Sequence, residues 1–220
     1  MPRLIFIGEK KGYKMRLFTH KICLLITVFL ISACLPLSTP TQATAPELQP
    51  TAAQNYHPLE TRVGIEEIDN VLNAVARGDP QLLRSLIKFT TAKCTLLDGL
   101  GGPPKCREGE AEGTSVEVLP FMGGEGSFIH KDDIDNWEGI EVSGLYAIYR
   151  VSADVQSEEY YPAGEVAIIF VAPENRPAVS LRLSEGGIVR VDHILDPSPE
   201  SLEAILQREA SEVLLAPVSR

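Results

Sequence analysis

The chain is short of the side chains that most often carry chemistry. It has four histidines and one tryptophan in 220 residues. No G-x-S-x-G, H-E-x-x-H or Walker-type pattern occurs, so elbow-type hydrolysis, zincin chemistry and P-loop nucleotide binding have no support. Gly99, Gly101 and Gly102 do not supply a phosphate loop either. No Lys-Ser or Lys-Thr follows them, and Pro103-Pro104 keeps helix amides from pointing at a phosphate. Basic residues are outnumbered, 20 against 30. After residue 33 the imbalance deepens to 14 basic and 29 acidic residues. A body that acidic repels phosphate backbones, and nucleic acid is not an expected partner. No internal repeat is visible. The apolar stretch Ile22–Ala33 has 12 residues, too few to cross a bilayer as a helix, which takes about 20.

What that stretch does carry is an address. Lys10, Lys11, Lys14, Arg16 and Lys21 precede it, and small residues end it. Basic, then apolar, then small is the order of a secretory signal, here residues 1–33. An uncleaved membrane anchor is the rival reading. Met15 to Ala33 alone makes a complete signal, so Met15 is a second candidate start. The stretch closes on Ile31-Ser32-Ala33-Cys34, which resembles the lipobox of bacterial lipoproteins. The resemblance implies that Cys34 is lipidated and becomes the mature N-terminus. It also implies a membrane partner, reached through an N-terminal lipid, and an extracytoplasmic location at the cell surface or on the periplasmic face.

Residues 34–59 are rich in proline and threonine and have no apolar periodicity. They read as an extended tether, or alternatively as an ordered arm packed on the domain. Residues 60–220 read as a single domain. Ile65, Ile68, Leu72 and Val75 fall at helical spacing, predicting a helix over 64–77 that Gly78 ends. Asp79-Pro80 opens a second helix with an apolar face of Leu82, Leu83, Leu86 and Ile87. Strands are expected near 89–94, 114–119, 144–151, 165–172, 178–184 and 188–195, with a short helix at 129–137 and a C-terminal helix over 200–215. The short connections between the late strands imply an antiparallel meander.

Four cysteines are present. Cys23 leaves with the signal, and Cys34 is assigned to lipid. Cys94 and Cys106 remain, in a compartment where disulfides persist, and are expected to pair. Free buried thiols are the alternative. Two thiols without nearby histidines make a poor zinc site, and no metal or other cofactor is expected.

The expected class is α+β, with two N-terminal helices packed on a curved antiparallel sheet of four to six strands. Val71 to Leu86, with Arg77-Gly78-Asp79-Pro80 between two apolar helices, and the late strands resemble the nuclear transport factor two-like superfamily in their order. That superfamily includes ketosteroid isomerase and polyketide-cyclase-like proteins, and the resemblance, over about 62–195, implies a cone-like fold. The stretch from Cys94 to Gly113 departs from the pattern.

Two candidate acid/base residues emerge, His193 and Asp133. His193 shares a strand face with Val189, Val191 and Leu195 and reads either as a pocket base or as a core or rim histidine. His130 lies beside Asp132, Asp133 and Asp135, which need not converge on a metal. Tyr146, Tyr149 and Trp137 are expected in the core or lining a pocket. The functional expectation is an exported, lipid-anchored module that binds a small molecule or an envelope protein. The alternative is a small enzyme, isomerase, cyclase or hydrolase-like, with an acid/base pocket. The sequence leaves the oligomeric state open.

Overall fold

The computed structural model describes residues 56–219 other than Leu100, Glu158, Glu174 and Asn175. The expected signal, Cys34 and the tether up to residue 55 lie outside the described residues. Among those described, no helix is long and apolar enough to cross a membrane. The domain is α+β. Helices α1 (Glu66–Ala76) and α2 (Pro80–Ser85) come first, then strands β1 (Thr90–Lys93), β2 (Ser115–Met122) and β3 (Ser127–His130). A 3-10 turn (Lys131–Asn136) leads to β4 (Gly144–Val151), β5 (Val166–Val171), β6 (Ala178–Ser184) and β7 (Gly187–Ile194). Helix α3 (Pro199–Glu209) and strand β8 (Ala210–Leu215) follow.

Local chemistry accounts for the junctions. Gly78 takes the left-handed conformation, φ 58°, that closes α1. The Asp79 carboxylate accepts from the amides of Gln81 and Leu82, and Pro80 sits at the first position of α2. Ser198 caps α3 through the Ser201 amide. Glu185 and Gly186 both have positive φ, 46° and 77°. This is the mirror-image turn whose twist suits a two-residue hairpin, here between β6 and β7.

The eight strands form one sheet in the order β1-β2-β7-β6-β5-β4-β8, with β3 hairpinned onto β2. That is more than the four to six expected. The expected meander β4-β5-β6-β7 is present and antiparallel. The sheet is not purely antiparallel, however: β2 lies parallel to β7, pairing Phe121 with Val191 and Met122 with Asp192. The expected helix over 200–215 is also shorter, because the backbone turns extended at Ala210 and β8 pairs with β4. No glycine or proline marks this break. Ladder hydrogen bonds with β4 override the local helical preference of Leu214 and Leu215.

Both faces of the sheet are covered. On one, α1 and α2 pack Ile68, Val71, Leu72, Val75 and Leu83 against Leu145, Ile148, Ile168, Phe170 and Leu181. Each such side chain, fully buried, contributes about 1.5–3 kcal/mol. On the other, α3 packs Leu202 and Leu206 against Tyr146, Tyr149, Ala167 and Ile169. Helices therefore cover both faces of the sheet, α1 and α2 on one and α3 on the other. The β5 sequence Val-Ala-Ile-Ile-Phe-Val is apolar at every position because each side chain meets a covered face.

Candidate functional site

A cleft of about 560 Å³ opens beside α3, within the range of small-molecule pockets. One wall is α3, through Pro199, Glu200, Glu203, Leu206 and Gln207. Another is Ala210 and Val213 of β8, with Pro217, Val218 and Ser219 beyond it. Tyr56 and Tyr146 complete the lining, with ring centroids 6.5 Å apart and planes tilted by 57°. Val213 and Val218, two of the large apolar side chains most open to solvent, both belong to this cleft. Exposed apolar side chains within a concavity fit a binding surface.

The segment assigned to the tether helps build the cleft. His57 exchanges backbone hydrogen bonds with Leu145, at 2.9 Å in each direction. Its ring Nε2 donates to the Ala216 carbonyl at 2.7 Å. His57 thus braces the segment after β8 against β4, and Tyr56 is delivered to the cleft mouth.

The α3 wall is fixed from beneath by a buried charge network. Arg182 on β6 donates to Asp192 on β7 at 2.8 Å and to Glu209 at the end of α3 at 2.6 Å. Tyr149 donates to the same Glu209 oxygen at 3.0 Å, and Arg208 reaches the other at 2.7 Å. Arg190 forks onto both oxygens of Asp192 and donates to the Tyr161 carbonyl. Burial works against the Glu209 charge, but the Arg182 charge and the hydrogen bonds from Arg208, Arg182 and Tyr149 outweigh it. Its pKa lies below the ordinary value. Burial also works against the Arg182 charge, and Asp192, Tyr149 and Glu209 again prevail, raising its pKa. Burial, with the Glu209 and Asp192 charges, pushes the Tyr149 phenol up. Arg182 Nη1 and Ser180 Oγ have no hydrogen-bond partner among the described residues, so desolvation is not fully recovered. The network holds α3 in place rather than adding a surplus of stability.

The sequence-derived candidates are scattered. Cys94 and Cys106 form the expected disulfide, with Cα atoms 4.9 Å apart. Glu110 lies near both sulfurs, but a disulfide offers no thiolate to a metal. His193 is exposed and stacks on Phe121, ring centroids 6.2 Å apart. Asp133 and Asp132 are held by the two arms of Arg107, at 2.5 and 2.9 Å. Asp135 faces Arg84 at 3.5 Å, and His130 Nε2 donates to the Lys105 carbonyl. These carboxylates answer to arginines and do not converge on His130. Tyr146, Tyr149 and Trp137 are buried as expected, and Tyr146 lines the cleft. Sequence reasoning missed Arg182, Arg190, Asp192 and Glu209. For Arg182, Arg190 and Asp192 the signal was charge at alternate positions of otherwise apolar strands; Glu209, at the end of α3, carried no such signal.

Comparison with family models, with known proteins and with solved structures finds no match.

Proposed function

We propose that this is an exported, lipid-anchored binding module, and that the cleft beside α3 takes an amphiphilic ligand. The carrying observation is the cleft itself, a mostly apolar concavity with Val213 and Val218 exposed in it. Its position fits the anchored reading. Tyr56 lines the cleft and follows Cys34 by 22 residues, a reach of up to about 70 Å at 3.1 Å per extended residue. A cleft within that distance of a bilayer meets membrane-derived amphiphiles. The Cys94–Cys106 disulfide fits an oxidising, extracytoplasmic compartment. The acid/base alternative needs His193 or Asp133 in a cavity with substrate; His193 is exposed and Asp133 is bound by Arg107.

Two measurements test this. Radiolabelled fatty acid should enter the mature chain and be absent from Cys34→Ser; label persisting in that variant refutes the anchor. Dodecyl maltoside, below its micelle concentration, should raise the melting temperature of the full Cys34→Ser chain progressively with concentration, as mass action requires. An unchanged melting temperature refutes the binding reading. The cone-like geometry of the nuclear transport factor two-like superfamily remains part of this proposal, supported by the α1-α2 pair and the β4 to β7 meander.

A further inference from the structure

We infer that the cleft selects its ligand by charge, taking an amphiphile with an ammonium head over one with a carboxylate or phosphate. This rests on the binding reading above and adds the ligand class. The lining contains Glu200 and Glu203 and no lysine, arginine or histidine. The two glutamates are one helical turn apart on α3, at spacing i and i+3, so they share a face. Among the described residues neither forms a salt bridge, whereas the neighbouring cation, Arg208, is spent on Glu209. Gln207 donates to Glu203 Oε1 at 3.2 Å, leaving that carboxylate its charge and further acceptor capacity.

The start of α3 offers no compensating anion site. Ser198 already accepts the Ser201 amide, and Glu200 occupies the first turn, where it neutralises the helix dipole. An anionic head in this cleft would meet two carboxylates with no counter-charge. A cationic head meets the same carboxylates in a cleft that Tyr56 and Tyr146 also line, and an ammonium is attracted to an aromatic ring. Leu206, Ala210 and Val213 supply the apolar floor for the chain of the ligand. Charge and apolar surface therefore specify one occupant, a single-chain amphiphile with an ammonium head.

The test is calorimetric titration of the full Cys34→Ser chain with dodecyltrimethylammonium, dodecyl maltoside and laurate, each below its micelle concentration. The ammonium compound should bind about tenfold more tightly than laurate, the effect of two partly exposed charge pairs. The preference should shrink as salt rises. In Glu200→Gln/Glu203→Gln the difference between the ammonium compound and laurate should vanish. Both positions are exposed, so folding is not at risk. Equal affinity for all three ligands overturns charge selection and leaves the cleft reading standing. Tighter laurate binding, or a preference surviving in the double variant, overturns it as well. Failure of all three to bind overturns both readings.

Discussion

Replacing Arg182 with methionine is expected to destabilise the domain by about 3–5 kcal/mol, the cost of leaving buried charges without their partner. Arg182 has 5% of its side chain exposed, and among the described residues it alone joins Asp192 to Glu209. Without it Glu209 keeps Arg208, which is largely exposed, and the Tyr149 hydroxyl. For a chain of this size the loss corresponds to a fall in melting temperature of roughly 10 °C. Chemical denaturation gives the free energy directly. A change below 1 kcal/mol would show that the network holds nothing in place. Replacing Arg182, Arg190, Asp192 and Glu209 together with apolar residues of similar volume should cost far less than the single change, because no charge is then stranded.

The same network sets an acid limit. The Glu209 pKa is lower in the folded chain than the ordinary 4.5, so the unfolded chain binds this proton more tightly. Its contribution to stability is therefore complete above about pH 4.5 and is lost as pH falls through the lower, folded value. Denaturation midpoints measured from pH 6 to pH 3 should drop less steeply in Glu209→Gln than in the parent, from a lower starting point. Parallel profiles would contradict the assignment.

Loss of the Cys94–Cys106 disulfide should cost about 3 kcal/mol, the chain-entropy value for a loop of this length. The sequence separation is 12 residues. Few other contacts close the loop: Thr95 accepts the Cys106 amide and donates its own to Pro104, and Lys105 reaches the Leu97 carbonyl. Leu96 and Leu97 are 60% and 73% exposed and contribute little burial. Cys94→Ala/Cys106→Ala should therefore unfold at lower denaturant, and residues 95–105 should exchange amide protons fastest. The cleft lies on α3, β8 and Tyr56 and shares no residue with this loop, so ligand affinity should be unchanged. A variant as stable as the parent would contradict the staple.

The parts legible in the sequence are those decided by neighbours in the chain. Gly78-Asp79-Pro80 specifies the break between α1 and α2 by backbone conformation and capping alone. Alternation of Val179, Leu181 and Leu183 gives β6, and the Glu185-Gly186 turn gives its hairpin to β7. What escaped depends on residues far apart. The parallel contact of β2 with β7 joins residues about 70 positions apart, for which no local pattern exists. β8 is a strand only because β4 offers an open edge. Reading α3 and β8 as one helix also hid the second covered face. Ser180, Arg182, Arg190 and Asp192 are buried on that face. The cleft was hidden for the same reason, since Tyr56, α3 and residues 213–219 meet only once β8 has joined β4.

The most direct test of the binding reading is amide hydrogen exchange on the full Cys34→Ser chain, with and without dodecyl maltoside below its micelle concentration. Protection is predicted at Tyr56 and His57, along α3 and across residues 213–219. The Cys94–Cys106 loop and the exposed surface around His193 should stay unchanged. Protection confined to that loop or to the neighbourhood of His193, or none anywhere, would contradict the cleft as the binding site.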